Sequence, residues 1–419
     1  MLPKKILFII KKLEKNGHKA YIAGGAVRDI LLQCKPKDID ILTSADIPEI
    51  ESVFAGQNIE LVGKTFPICI INGIEVSQAR GGKAGFPESD LAKRDFTINA
   101  MAMDSTLETL IDPFKGQKDL KDRIIRFTND PVERISEDPV RMLRACRFRA
   151  LLNGSFYPST QKAILSSADL LDNAVAKERI SHEILKAMKL EKPSLFFRAL
   201  KETNLLGRIL PSLDRCYDLD GGPHHKETVF DHCLLVGDAL PPALLELRLA
   251  GFLHDTGKYD AAVMENGRLY FAGHENHAEK TVQDLSDLKF STKNISYIAA
   301  LMKAHMRPLT DKSTPRAVRR LLSGLSEHGL TYKDFMRMRI ADRKGNLAKK
   351  PYTLSEIRVR LKKIQDEIHQ DHAFTINDLE ISGHDIMTLL SLSPSQEVGK
   401  IKEFLFEKVL DDPLLNRYE

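Results

Sequence analysis

Short apolar runs alternate with amphipathic stretches up to about residue 130, and helical patterning takes over beyond it. Ile6–Ile10 is a five-residue apolar run between Lys4-Lys5 and Lys11-Lys12, which predicts an amphipathic helix ending near Gly17. Lys19 to Ala23 predicts a short strand, and Ala26 to Gln33 a helix. Between them, Gly24-Gly25 lets the backbone turn tightly. Asp38, Ile39, Asp40 and Ile41 alternate as a strand does, with both carboxylates on one face and both isoleucines on the other. Pro67 to Ile71, Asn72-Gly73 and Ile74 to Ala79 predict a hairpin, because Asn-Gly suits a turn whose central residues take positive φ.

The resulting fold class is an α/β head with a small mixed sheet, followed by an all-α remainder. The head spans 1–130 and a helical neck and body 131–215. The turn-rich Asp218–Pro223 marks a boundary. A second helical domain follows at 224–350, then a helical tail at 351–419 containing the charged helix SEIRVRLKKIQDEI.

Composition adds bounds. A chain of 419 residues with 42% hydrophobic positions supports two to four domains with real cores. Net charge is only +4, so basicity is local: Arg123, Arg126, Arg134, Arg141, Arg144, Arg147 and Arg149 gather where head meets neck, a pattern suited to phosphate contact or to a solvated helix face. Five cysteines (Cys34, Cys69, Cys146, Cys216, Cys233) form no CxxC pair and read as reduced thiols of a cytoplasmic protein. The apolar run near the N-terminus is too short for a signal segment, and no later run is long enough to cross a bilayer. Nothing in the pattern chooses between monomer and dimer.

The chemistry concentrates in the first 40 residues. The Gly24-Gly25 turn opens a helix whose free N–H groups suit a phosphate, and Arg28 adds a forked cation. Asp38 and Asp40 can hold the two Mg²⁺ ions of an in-line phosphoryl or nucleotidyl transfer. Glu75, on the polar face of the second hairpin strand, is either a third carboxylate for the metals or a solvent-facing side chain.

Four further strings follow in order: KRDFTINAM at 93–101, DPFKGQKDL at 112–120, EDPVRMLRACRF at 137–148 and ERISHE at 178–183. Together with the diglycine and paired aspartates they resemble the class II tRNA nucleotidyltransferases, the CCA-adding enzymes and their bacterial poly(A) polymerase relatives. The resemblance implies a polymerase-beta-like nucleotidyltransferase head that takes CTP and ATP and extends tRNA. Asp38 and Asp40 would hold Mg²⁺, and Gly24, Gly25 and Arg28 the triphosphate. Arg94, Asp95 and Asn99 would bind nucleotide, with Lys93 standing where the family has arginine. Asp112, Gly116 and Asp119 match a hinge-like motif. Asp138 and Arg141 match the pair that replaces a nucleic-acid template. Such a pair, set i, i+3 on a helix begun by Pro139, can accept from the amine that C and A share and donate to their ring nitrogens. The plainer reading is an intrahelical ion pair. Arg144 and Arg147 would support the pair or touch tRNA, and Glu178, Arg179 and Glu183 would anchor the neck helices.

The second half carries its own motif. His232 in VFDHCLLVGDAL, His254-Asp255 in LHDTGK and Asp342 in MRIADRKG resemble the HD metal-dependent phosphohydrolases. His274 and His305 would complete a wider or binuclear site for a divalent transition metal, Mn²⁺ or Mg²⁺. His224, His225 and His277 read as surface residues. The resemblance implies a phosphatase or phosphodiesterase. The segment 80–90 is shorter than the family's flexible loop, so full CCA addition stands beside CC-only or A-only addition. An HD phosphohydrolase with an inactive, RNA-binding head is the alternative from another class.

Overall fold

The computed structural model describes residues 2–63, 67–79, 83–370 and 373–417, and they form two compact units. Unit one comprises Met1–Glu183 and Arg198–Leu205, unit two Ile184–Phe197 and Leu206–Glu419.

Unit one is built on a mixed seven-stranded sheet in the order β3-β4-β5-β2-β1-β6-β7. The strands are β1 (Ala20–Ala23), β2 (Asp40–Thr43), β3 (Ile59–Val62), β4 (Ile68–Ile71), β5 (Ile74–Gln78), β6 (Ala102–Met103) and β7 (Leu110–Ile111). Only β2 and β5 run parallel; the other neighbours are antiparallel. Helix α1 (Lys4–Lys15) buries Ile6, Ile9, Ile10 and Leu13 against β1 and β2 and leaves its lysines in water. Helix α2 (Gly25–Leu31) follows β1, and α3 (Ile47–Val53) follows β2 behind an Asp46–Glu49 capping box. The expected hairpin is β4–β5, with Asn72 at φ 51° and Gly73 at φ 81°. On the other face Ala23, Leu42, Phe86, Leu91, Ala100 and Ala102 form a second small core beneath the short α4 (Glu88–Leu91).

Helix α5 (Gly116–Lys121) leads into a two-residue pairing of β8 (Ile124–Ile125) with β9 (Ser155–Phe156). Between them lie α6 (Pro131–Glu137), capped by Asp130, and α7 (Arg141–Leu152). Helices α8 (Pro158–Ser166), α9 (Leu170–Asn173), α10 (Lys177–Ala187) and α11 (Ser194–Glu202) follow, and the unit boundary falls inside α10 and α11.

Unit two is helical: α12 (Leu206–Ile209), α13 (Pro211–Asp214), α14 (Val229–Ala239), α15 (Leu245–Leu253), α16 (Lys258–Ala261), α17 (Glu279–Asp287), α18 (Thr292–Ala304), α19 (Pro315–Glu327), α20 (Tyr332–Gly345), α21 (Leu354–His369), α22 (Gly383–Leu390) and α23 (Gln396–Asp411). Its centre is α14 packed on α15 and α20, with α18 against α15. A Cβ on Gly237 would lie 2.4 Å from the Phe252 ring, so glycine is what lets α14 and α15 approach.

Several boundaries differ from the sequence expectation. β2 begins at Asp40, so Asp38 lies just before the strand rather than on it. Pro139 does not begin a helix: α6 ends at Glu137, Asp138 beyond it is extended (φ −156°), and α7 starts at Arg141 after a turn. Unit two also contains a hairpin, β10 (Val263–Glu265) and β11 (Arg268–Tyr270), turning on Asn266-Gly267 with φ 50° and 73°. Of the shortened 80–90 loop, residues 80–82 lie outside the described residues; 83–90 run through a cis Phe86–Pro87 bond into α4.

Candidate functional site

In unit one, Gly24 joins β1 to α2 at φ 74°, and a Cβ there would sit 2.4 Å from Arg94 Nη1. Glycine is required twice over, by conformation and by the guanidinium laid across the turn. Arg94 is steadied by Asp90 Oδ1 at 3.3 Å. The β1–β2 register sets Ala23 beside Asp40, and the parallel β2–β5 register (Ile41 beside Val76) brings Glu75 alongside Asp40 on the same face.

Charge interactions show the result. Burial pushes the Asp40 carboxyl up, Arg94 works against it, and Asp38 adds to it. Burial also raises Glu75, followed by repulsion from Asp40 and Asp38. A divalent cation relieves the repulsion that raises Asp40 and Glu75 beside Asp38, so the donor set fits a metal.

Arg28 is not a free fork. It is 9% exposed, donating from Nη1 to Asn99 Oδ1 (2.6 Å) and from Nη2 and Nε to Asp29 Oδ1 (2.8 and 3.1 Å). Asn99 in turn donates to Asp95 Oδ1 at 3.1 Å. Asp95 also accepts from Arg144 Nε at 2.8 Å and from the Phe96 N–H. Burial works to raise Asp95, yet Arg144 and these hydrogen bonds hold it below the usual carboxylate range. Arg147 Nε donates to Glu183 Oε2 at 2.6 Å. The Phe148 ring has Arg28, Arg144 and Arg147 at 5.1, 5.6 and 4.4 Å from its centroid. The chain Asp29–Arg28–Asn99–Asp95–Arg144 thus bolts α2 to α7.

Asp138 and Arg141 do not pair with each other through their side chains. Asp138 accepts the Arg179 fork at 2.9 and 2.8 Å, and Arg141 Nη1 donates to Glu137 Oε2 (2.7 Å) and the Arg134 carbonyl (2.8 Å). The intrahelical ion pair is therefore not formed, and Arg179 does more than anchor a neck helix. At the motif expected to act as a hinge, Asp112 accepts from the Gly116 and Gln117 N–H groups, and Asp119 accepts from Thr97 and Arg126.

Unit two brings together all six residues expected there. His254, His274 and His305 each hold Nδ1 on a carbonyl three residues back (Gly251, Phe271 and Met302; 2.9, 2.9 and 2.5 Å). Those bonds fix the tautomer and leave the Nε2 lone pairs pointing inward. His274 Nε2 and His305 Nε2 face each other at 3.3 Å, and His254 Nε2 is buried with no hydrogen-bond partner. Asp255 lies between: Oδ2 is 3.5 Å from His254 Nε2 and 3.6 Å from His232 Nε2, while Oδ1 is 3.1 Å from His274 Nε2 and 3.3 Å from His305 Nε2. Asp342 Oδ1 lies 3.2 Å from His232 Nε2. His232–His254–Asp342 and His254–Asp255–His305 each place three ligand atoms within 4.8 Å. Ring nitrogens and carboxylate oxygens that converge in this way fit divalent cations.

Burial drives the His254 imidazole down to about 3. His232, despite burial, is held above its usual range by Asp342 and Glu227. Lys258 Nζ is 2.7 Å from Asp255 Oδ2. A cavity of about 320 Å³ opens over the cluster, lined among others by His225, Lys258, Tyr270, Phe271, Asn346 and Lys349.

His224 and His277 are exposed as expected, but His225 is not a surface residue. Its Nδ1 meets Glu227 Oε1 at 2.7 Å, because the strand-like bridge of Asp220 to Thr228 turns the segment inward. Sequence reasoning missed Glu227 and Lys258. Their signals were the spacing His225-x-Glu227 ahead of His232 and the lysine three residues after Asp255.

Comparison with known proteins agrees with the geometry. The family described as "Poly A polymerase head domain" matches residues 20–126, "Probable RNA and SrmB- binding site of polymerase A" matches 155–217, and the HD domain matches 224–369. An A-adding tRNA nucleotidyltransferase of Deinococcus radiodurans is 31% identical over 93% of this chain and 91% of its own length. The Multifunctional CCA protein of Aromatoleum aromaticum is 34% identical over 64% of this chain and 70% of its own. Poly(A) polymerase I of Haemophilus influenzae is 35% identical over 49% of this chain, which spans about half of that protein (51%). The crystal structure of the Bacillus stearothermophilus CCA-adding enzyme in complex with CTP superposes with a TM-score of 0.73 at 24% identity, covering 99% of this chain and 94% of that one; at that identity it speaks for the fold alone.

Fold and donor chemistry together define a polymerase-beta-like nucleotidyltransferase head on a mostly helical chain that carries an HD domain. The chain belongs to the class II tRNA nucleotidyltransferase and poly(A) polymerase family. Among the described residues no helix is long and apolar enough to cross a membrane.

Proposed function

We propose that this chain adds nucleotides, without a nucleic-acid template, to the 3′ end of tRNA in the cytoplasm, and that its second unit hydrolyses phosphate esters. The observation that carries the first reading is the Asp38–Asp40–Glu75 cluster set beside the Gly24 turn and Arg94. Mg²⁺ bound there would neutralise the triphosphate and lower the proton affinity of the tRNA 3′-hydroxyl. The chain's own groups do the rest. Gly24 gives the triphosphate close access to backbone, and Arg94 balances its charge. Arg28, held by Asn99, shapes the wall behind it. The 3′-oxygen bonds to the α-phosphorus, the bond to the bridging oxygen breaks, and pyrophosphate leaves.

Base choice belongs to Asp138 and Arg141. Arg179 fills the donor position that the amine of C or A would take at Asp138, and Glu137 fills the acceptor position at Arg141. An incoming C or A replaces both partners; U or G presents a carbonyl to a carboxylate and replaces neither.

The finer reading is full CCA addition from CTP and ATP. A-only addition is favoured by one observation, the nearly full-length likeness to an enzyme named A-adding. A tRNA transcript ending at the discriminator base, given CTP, ATP or both with Mg²⁺ and resolved at single nucleotides, separates them. Growth by three supports CCA addition, and arrest after two makes the enzyme CC-adding. Extension only of a tRNA already ending in CC makes it A-adding. No extension of any of them overturns the reading.

In the second unit the proposed site is binuclear, with His232, His254 and Asp342 on one side, His274 and His305 on the other, and Asp255 between. Mn²⁺ or another divalent transition metal would supply an activated water there. Lys258 and Lys349 in the cavity wall offer cations to a phosphate.

A further inference from the structure

The four histidines expected to hold metal in the second unit do not hold their rings alike. His254 and His305 close the ends of α15 and α18, and His274 opens a single helical turn, so each finds a carbonyl three residues back able to accept from Nδ1. His232 sits inside α14, where the carbonyls are already taken by the helix. Its Nδ1 makes no aligned hydrogen bond and lies 3.2 Å from Glu227 Oε1, within ion-pair distance.

Glu227 is built for that place. Its side chain is 3% exposed. Besides His232, Oε1 meets His225 Nδ1 at 2.7 Å, and Oε2 accepts from the Lys226 N–H (3.0 Å) and the Leu347 N–H (3.2 Å). Leu347 lies two residues beyond α20, the helix that carries Asp342. One buried carboxylate therefore touches the ring of one expected metal ligand and the end of the helix bearing another.

We infer that Glu227 is the positioning residue of the second unit's metal centre: it holds His232 in the tautomer whose Nε2 is a lone pair and pins α20 so that Asp342 meets the same ion. The inference rests on reading that unit as a metal centre. A carboxylate behind a ligating imidazole both orients the ring and makes it a stronger donor. A glutamine there has one oxygen for four N–H donors and turns its amide toward the others, so shape is kept while the function is lost.

The test uses the full chain with Asp38→Ala and Asp40→Ala, which removes the head as a competing site. Co²⁺ is the probe, its affinity measured by competition with a chelator and its coordination by visible absorption. Adding Glu227→Gln is expected to weaken Co²⁺ binding by about 10- to 100-fold and to alter the ligand-field bands, with the metal-free protein still melting cooperatively. Affinity within about threefold of the parent and an unchanged spectrum overturn the inference. If Glu227→Gln lowers the melting temperature, Glu227→Asp is read against the same threshold, since it keeps the charge but is one methylene too short to span His232 and Leu347. A parent that binds Co²⁺ no better than its His254→Ala/Asp255→Ala derivative instead sinks the metal-centre reading itself.

Discussion

At the scale of single residues, the head's carboxylates carry a pH signature. Asp40 and Glu75 are both raised, Asp40 by burial and Asp38, Glu75 by burial, Asp40 and Asp38. A raised acid keeps its proton to higher pH, so the metal must displace protons that ordinary carboxylates have already lost. Metal affinity then climbs as pH rises through this raised range and levels off above it, by about tenfold per pH unit for each proton displaced. Glu75→Gln removes one raised acid whose proton the metal must displace, while burial and Asp38 still hold Asp40 up. The variant is expected to bind Mn²⁺ more weakly at pH 7 and with a shallower pH dependence. Mn²⁺ titrations at pH 5, 6 and 7, in a His254→Ala/Asp255→Ala background, check this; an unchanged slope would show that Glu75 faces solvent and not the metal. At this scale the aspartates and histidines were legible because their order and spacing encode the chemistry. The long-range contacts of Arg179, His225 and Glu227 were not. Each also meets a partner distant in sequence (Asp138, Asn346, Leu347), which local spacing does not record.

At the scale of elements, turn chemistry was the most readable layer. Asn72-Gly73 announced β4–β5, and the same dipeptide at Asn266-Gly267 marks β10–β11, overlooked because its strands are three residues each. The start of β2 and the start of α7 shifted because tertiary contacts, not propensity, decide where Asp38 and Asp138 sit. One buried device had no sequence signal at all. Arg248 of α15, 1% exposed, donates to the carbonyls of Gly237 at the end of α14 and of Met188, Leu190 and Glu191 after α10. Arg248→Ala strands the Met188, Leu190 and Glu191 carbonyls and opens a cavity, a loss of about 3–5 kcal/mol. Calorimetry should show a transition lowered by roughly 10 °C. A shift of about a degree would mean that water or Asp238 rearranges to replace the guanidinium.

At the scale of the whole molecule, each proposed centre draws its candidate ligands from one unit only. Asp38, Asp40 and Glu75 lie in the first, and His232, His254, Asp255, His274, His305 and Asp342 in the second. No described hydrogen bond or ion pair links one ligand set to the other, so the two chemistries are expected to separate cleanly by mutation. Asp38→Ala/Asp40→Ala should cut tRNA extension by at least about 10²- to 10³-fold, the loss typical when electrostatic groups leave a catalytic site, and leave phosphate-ester hydrolysis within about twofold. His254→Ala/Asp255→Ala should do the reverse. Parallel assays on the same preparations, with melting curves to confirm folding, distinguish the outcomes. If either pair of substitutions abolishes both activities while the protein stays folded, the units are coupled and the ligand sets are not independent. If tRNA extension survives the first pair, the head's chemistry lies outside this carboxylate cluster. If hydrolysis survives the second, it belongs to the head or to neither centre, and the six converging side chains serve the fold alone.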